Sequence, residues 1–510
     1  MSENIVRLDN PGTVLAPLAP WNAGAPKING PKVFGATPGR FFSYTFPVRG
    51  DRDGLVLSVA GNLPEGLAFD AATGTLSGKC DAGEYRLSVS AQNRLGGDSV
   101  TFTLMVGENM LARTPPMGWT SWNALTTHVK REHLLAAAHA MIDEGLAARG
   151  YTYVNVDSGW QGQRDFDYDG NSALQPNEFF PDIAGMVSEI HGLGLKCGLY
   201  CSPMVLCCGT DLRRQYRGCT DFPIDPELTQ NLRWPFVGIG KKRFEKIDAA
   251  QWAEWKFDFL KYDWPFTDVA QAKMMREALD ATDRDFLLQL CTGCDCARAE
   301  EYRNVGQLIR GYADTRDNWG AIGRISKHAD IWLDYVGPGY WYDLDMFALG
   351  RMMLNRPATG AEMKGRRGLP DDTRFNNWMN QDEQAFHFVY WIVFPTPLFL
   401  SCDLTSLDDF TRDLVGNEEL IEINQDYPAK AAAFEDRPDE VRVATRRLSD
   451  GRMVWAFFNY SEEPRSFVFP LGGEYALRDP MGGRDLGSGD SLDIALPIHG
   501  VKIAVGRAVR

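Results

Sequence analysis

Positive charge is the scarcer sign in this chain: 53 Lys and Arg stand against 68 Asp and Glu, a net charge of -15 over 510 residues. That balance argues against nucleic acid or an anionic membrane surface as the main partner, and it is compatible with a neutral substrate. Long apolar runs are missing too, so no segment reads as a membrane span. The opening MSENIVRLDN has no apolar stretch behind a basic start. The expectation is therefore a cytoplasmic protein, or a secreted one only where a leader has been removed. Cysteine is sparse, ten residues in all, which excludes a disulfide scaffold and leaves most thiols as small buried hydrophobes. Histidine is sparser still, with seven. The glycine-containing GIGKKR lacks the third glycine and the lysine context of a phosphate cradle.

What is present sorts into four stretches. Residues 1–30 are rich in Pro, Gly, Asn and Ala without periodicity and read as an irregular lead-in. Across 31–108, short alternating runs (FFSYTFPV, LVLSVAG, YRLSVSAQ, VTFTLMV) are broken every ten residues or so, the pattern of an immunoglobulin-like β-sandwich. Within it, LPEGLAFDAATGTLSG resembles the repeat signature of bacterial immunoglobulin-like domains, which often precede glycoside hydrolases. From 109 to 430 the rhythm changes to eight short apolar strands, each followed by a helix or a long insertion. Parallel neighbours need crossovers of that length, so the segment reads as a (β/α)8 TIM barrel. After 430 the period returns to two, and VRVATRRLSDGRMVWAFFNY places a hairpin turn at Asp450–Gly451. A C-terminal antiparallel β-sandwich over 431–510 is expected.

Barrels carry their reactive groups at the carboxyl ends of the strands. Those ends hold Trp122, Asp157, Tyr200, Lys261 with Asp263, Thr292, Arg310 with Asp314, and Asp343 with Asp345. In FLKYDW, Lys261 and Asp263 lie two apart and share one face of a strand. The ammonium would hold the carboxylate ionised, as a carboxylate nucleophile requires; the plainer alternative is a strand-end ion pair that only tidies a loop. No histidine lies at a strand end, which argues against a His-ligated catalytic metal and against His-activated nucleophiles. Two separated acids on one rim with aromatic platforms suit glycosidic cleavage, in which one carboxyl is ionised and the other carries a proton. Lys261 is expected to depress Asp263, and Asp314 to be the less compensated acid, with Arg310 engaging a sugar hydroxyl instead of Asp314. Asp343 or Asp345 has a helix cap as its plain reading, and Trp119 or Trp122 a place in the core. The cysteines Cys207, Cys208 and Cys219, with Cys291, Cys294 and Cys296, form two clusters, yet CxxCxC lacks the paired spacing of a zinc ribbon. Loop packing or disulfides are the expected reading, and no metal or other cofactor is called for.

The ordered set TPPMGWTSWN, YVNVDSGW, GLKCGLY, FLKYDW, IRGYADTRDNW, GPGYWYDLDM, PLFLSCDL and LIEINQD resembles glycoside hydrolase family 27, the α-galactosidases and their relatives in clan D. The resemblance runs from about Leu111 to the end. It implies a retaining double displacement with Asp263 as nucleophile and Asp314 as acid/base, Trp122 stacking on the sugar, and Asp157, Tyr200, Lys261 and Arg310 binding glycone hydroxyls. Ser158, Thr292 and Asp345 complete the expected substrate-binding set. Three departures bear on the glycone. Ser158 follows Asp157 where α-galactosidases carry a second acid, Thr292 stands near the position of a glutamate, and Pro265 replaces a cysteine two places after the nucleophile. The expected activity is exo-acting cleavage of terminal α-D-galactosides of an oligosaccharide or glycoside. β-L-arabinopyranosides or isomaltosyl-type α-glucans are the alternatives within the family. Outside it stand a non-catalytic carbohydrate-binding protein and a thiolate-dependent enzyme. The oligomeric state stays open.

Overall fold

The computed structural model describes residues 4–164, 172–207, 216–229, 238–263, 268–352, 377–428 and 430–509. Cys208, Trp264 and Pro265 lie outside the described residues. The eight expected barrel strands all form: β1 (Met117–Thr120), β2 (Tyr153–Asn155), β3 (Lys196–Cys201), β4 (Phe259–Asp263), β5 (Leu287–Cys291), β6 (Leu308–Ile309), β7 (Trp341–Tyr342) and β8 (Leu398–Leu400). Each pairs in parallel with its sequence neighbour, and β1 also pairs with β8. A parallel bridge from Phe347, just past β7, to Leu400 closes the ring.

The strand period of two explains what fills the barrel. Tyr153, Phe259, Leu287, Leu308 and Phe399 form one apolar layer with Met346, and the Phe259 and Phe399 rings sit 5.4 Å apart, edge to face. Two residues further along the same strands come Asn155, Lys261, Gln289, Arg310 and Ser401, all buried. Polar side chains therefore rest on an apolar plug and face the catalytic end. Gly198 of β3 makes the room, since a Cβ there would lie 2.2 Å from Asn155 Oδ1.

The N-terminal module is a two-sheet sandwich. Strands Val33–Ala36, Gly96–Val106, Gly83–Asn93 and Val56–Ala60 pack against Phe42–Thr45, Thr75–Gly78 and Leu67–Asp70, with Leu76, Val89 and Leu104 fully enclosed between them. It sits against the amino ends of the barrel strands: Phe41 bridges Arg284 through the backbone, Thr37 N donates to Asp285 at 3.0 Å, and Lys27 and Arg49 both reach Glu418.

The C-terminal domain is a seven-stranded sheet with Ala433–Arg437 at one edge. The expected hairpin joins Val441–Arg447 to Met453–Asn459, and Gly451 takes the positive φ of +86° that the turn requires. One face packs on the barrel helix Gln381–Val393, where Phe458 meets Phe386 and Tyr390. The other face closes a core of its own around Val443, Phe457, Leu492 and Ile494.

One expectation is corrected here. The lead-in is not irregular throughout, because Ile5–Leu8 forms the other edge of that C-terminal sheet, parallel to Arg484–Leu496. Val6 and Leu8 point into its core, and Thr13 is fixed by Asp382 at 2.7 Å. A four-residue run of apolar and charged residues is too short to stand out from its Pro- and Gly-rich surroundings, and only the distant partner strand makes it a strand. Among the described residues, no helix is long and apolar enough to cross a membrane.

Candidate active site

The polar layer of the barrel organises its rim through two ion systems. In the first, Lys261 Nζ donates to Asp157 Oδ2 at 2.8 Å. Asp157 Oδ1 accepts Ser158 N at 2.8 Å, and Ser121 Oγ accepts Asp157 N at 2.9 Å. Burial works against the Lys261 charge, but Asp157, Cys291 and Asp263 together outweigh it and raise the ammonium well above its ordinary range. In the second, Arg310 reaches Asp345 with Nη1 and Asp314 Oδ1 with Nη2, the latter at 2.5 Å. Asp345 also accepts Thr315 N at 2.7 Å, and its own N–H donates to Asp343 Oδ1 at 2.8 Å. Asp343 Oδ2 in turn takes a hydrogen bond from Gln289. A continuous chain thus runs from the barrel interior, Gln289 to Asp343 to Asp345 to Arg310, out to Asp314, whose side chain is 56% exposed. Asp345 holds a φ of +75°, a strained value for a residue with a Cβ, which its buried hydrogen bonds offset.

Asp263, at the carboxyl end of β4, lies between these systems. Its register partner on β5 is Cys291, whose thiol donates to Asp263 Oδ1 at 3.3 Å. Tyr200, on β3, donates its hydroxyl to Asp263 Oδ2 at 2.9 Å. The Lys261 ammonium lies 5.5 Å from the centre of the Tyr200 ring, so Tyr200 spans the ground between cation and carboxylate.

The expected charge division between the two acids is reversed. Burial raises Asp263 above its ordinary value, and Lys261 and Arg310 only partly counter it. Asp314 is lowered: burial opposes its charge, but the Arg310 guanidinium and then Lys261 more than compensate. The reason is the choice of partner. Lys261 bonds Asp157 and not Asp263, and Arg310 pairs with Asp314 where a free guanidinium was expected.

Of the other expected residues, Trp122 begins the short helix Trp122–Leu125 and lies half-buried over the apolar layer of the barrel, whereas Trp119 is core, with Nε1 bonded to Cys402 O. Thr292 is half-buried just beyond β5. Ser158 is fully enclosed, and its Oγ has no hydrogen-bond partner among the described residues, so it does not present a hydroxyl to the cleft. Asp345 serves Arg310 and Thr315, and no helix. Gln289 and Asn155 escaped the strand-end reading, Gln289 because it sits two residues inside β5 and Asn155 because Asp157 was taken as the end of β2; the spacing of two from Leu287 and Tyr153 was the available signal.

The thiols separate into different roles. Cys201 and Cys219 place their sulfurs 3.2 Å apart, and Cys207 lies 3.1 Å from Ser202 Oγ. Burial raises all three thiols, Cys219 to about 12 and the other two well above their ordinary value. Cys296 turns away to Ile331 O. Among the described residues, no three of His, Cys, Asp and Glu gather as metal ligands.

Comparison with known proteins bears on this geometry directly. Residues 25–107 match the family described as "Putative Ig domain", and residues 114–220 and 236–365 match the family "Alpha galactosidase A". The chain is 26% identical over 428 residues to alpha-galactosidase A of Cellvibrio japonicus, covering 77% of this chain and 92% of that protein. It is 29% identical over 382 residues to alpha-galactosidase 3 of Arabidopsis thaliana, covering 73% and 75%. A solved structure titled "putative alpha-galactosidase", from Bacteroides fragilis, superposes with a TM-score of 0.79 at 26% identity, over 97% of this chain and all of that one. The barrel with a carboxylate rim and the Ig-like module ahead of it thus have their counterparts together, and this chain is a glycoside hydrolase whose barrel matches the α-galactosidase family.

Proposed function

We propose that the enzyme is a retaining, exo-acting glycosidase that releases terminal α-D-galactose. The observation that carries the reading is the setting of the two acids. Asp263 is buried at a strand end, with both oxygens oriented by Tyr200 and Cys291, and Asp314 stands exposed on the rim beside Arg310. An Asp263 oxygen would attack the anomeric carbon as the bond to the aglycone oxygen breaks, and that oxygen takes its proton from Asp314. Asp314 would then remove a proton from water, which attacks the same carbon and frees Asp263 with net retention. In the unliganded site the ionisation preference runs the other way, with Asp263 raised and Asp314 lowered. A substrate that draws Arg310 away from Asp314 would raise that acid toward the protonated form the first step uses.

The test is hydrolysis of p-nitrophenyl α-galactoside, α-glucoside, α-N-acetylgalactosaminide and β-L-arabinopyranoside, with Asp263→Asn alongside. Preferential cleavage of the α-galactoside, lost in a folded Asp263→Asn protein, with the α-anomer of galactose appearing first by NMR, is the expected result. Comparable turnover in the folded variant overturns the nucleophile assignment, and a first-formed β-anomer overturns retention. A second reading, β-L-arabinopyranoside as glycone, is favoured by Ser158. With Ser158 enclosed, Asp157 is left without a second acid beside it, so a sugar lacking the 6-hydroxymethyl group gives up less binding.

A further inference from the structure

At the opposite end of the barrel, the Ig-like module and the amino ends of the strands enclose a cavity of about 450 Å³, within the roughly 300–1,000 Å³ typical of small-molecule sites. Its charged walls are Lys196, Lys256, Arg284 and Asp258, with His191 beside them. Lys196 and Arg284 face one carboxylate, a local balance of +1 (two minus one) to which the exposed Lys256 adds a third cation at the edge, in a chain whose net charge is -15. The carboxylate is already committed. Asp258 accepts from Arg284 Nη2 at 2.6 Å, from His191 Nε2 at 2.8 Å and from Cys197 N at 2.9 Å.

The cations, by contrast, are under-served. Lys196 Nζ stands 3.8 Å from Asp258 Oδ1, and burial lowers its pKa despite that neighbour. Arg284 spends Nε on Phe257 O and Nη2 on Asp258, leaving Nη1 without a partner among the described residues. Lys256 forms no ion pair among them. The next carboxylate along this seam, Asp285, lies in an adjoining smaller cleft and is taken by Thr37 N and Arg40. An ion network that served only to dock the module would be balanced, because unpaired charge in a walled site destabilises the fold. The remaining walls carry the hydroxyls of Ser43, Thr45, Thr75 and Thr152, beside Gly194, Leu195 and the half-exposed Phe41 ring. That is the chemistry that receives a polyol with an apolar face.

We propose that this cavity is a second ligand site, which takes a small polyhydroxylated anion: a sugar bearing a carboxylate or a phosphate group. Lys196, Lys256 and Arg284 hold the anionic group, and the hydroxyl-bearing walls face the sugar. The site is separate from the catalytic one. Lys196 and Asp258 lie at or just before the first residues of β3 and β4, and Asp263 is the last residue of β4, roughly 16 Å beyond Asp258 along the strand. Because both the module and the barrel contribute walls, the ligand binds only the docked arrangement and stabilises it by mass action.

The test is isothermal titration of the whole chain with glucuronate, glucose 6-phosphate, inorganic phosphate and glucose. Saturable binding of glucuronate or glucose 6-phosphate is expected, with glucose giving no signal that depends on Lys256. Loss of one charge-assisted bond in Lys196→Met or in Lys256→Gln weakens binding about tenfold, and p-nitrophenyl glycoside turnover is unchanged. Lys256 is exposed, so Lys256→Gln keeps its fold and carries the test if Lys196→Met does not. Absence of saturable binding by all three anions, or affinity indifferent to the substitutions in folded protein, overturns the proposal. Inorganic phosphate binding as tightly as glucose 6-phosphate overturns its sugar part and leaves a bare anion site.

Discussion

Asp343 is the carboxyl most at odds with its surroundings. Burial first, then the neighbouring Asp345, push it up to about 6, against the pull of Arg310, the Asp345 N–H and Gln289. A carboxyl raised on folding contributes stability that is fully present below its unfolded value near 4 and is lost as pH rises through 6. Asp343→Asn removes that dependence. Whatever the amide costs in hydrogen bonds at every pH, the stability difference between variant and parent should move in the variant's favour from pH 4 to pH 7, by about 3 kcal/mol at most. Urea unfolding at the two pH values checks it, and a difference independent of pH would sink the idea. Tyr200 offers a companion test at the nucleophile. Its hydroxyl bond lowers the Asp263 carboxyl, so Tyr200→Phe should move the acid limb of kcat/KM to higher pH and reduce the plateau about tenfold. An unmoved limb would detach Tyr200 from Asp263 ionisation.

At the scale of strands and loops, the sequence carries periodicity well and partnership poorly. The eight barrel strands, the hairpin at Asp450–Gly451 and the gathering of Asp157, Tyr200, Lys261 and Asp263 on adjacent strand ends could all be read from apolar runs and from spacing. Which carboxylate Lys261 would choose could not, because Asp157 lies two strands away and only the order β2, β3, β4 brings it within 2.8 Å. The same holds for Cys291, whose place in a cysteine-rich loop suggested a thiolate cluster until the β4–β5 register set it opposite Asp263. Arg310 joins the loop after β6 to the loop after β7 through Asp314 and Asp345. Arg310→Met should leave Asp345 as an uncompensated buried charge and cost about 3–5 kcal/mol. It should also raise the Asp314 carboxyl, moving the basic limb of kcat/KM to higher pH in whatever protein folds. A basic limb that stays in place would show that Arg310 does not set the ionisation of Asp314 during turnover.

Across the whole molecule, the three structural units are sewn together by segments that look like linkers in sequence. Strand 5–8 belongs to the C-terminal sheet, Thr13 and Leu18 are held by Asp382 and Asp413 on barrel helices, and only then does the chain enter the Ig-like module. Leu8→Asp places a charge in the core that Leu492 and Ile494 share. It should free the strand without touching the barrel, so that brief trypsin treatment cuts after Arg7 in the variant and spares the parent, with glycosidase activity unaltered. Equal protection of that bond in both proteins would mean that burial of Leu8 is not what holds the strand in its sheet.

The position of that strand also fixes an order of events during synthesis. Ile5 faces Ser491, so its partner leaves the ribosome 486 residues later, which at roughly 5–20 residues per second is a wait of about 25–100 s. For that interval Val6 and Leu8 have no native surface to cover them. The barrel and the Ig-like module must mature around a loose end, and its capture by the C-terminal sheet is among the last steps of folding.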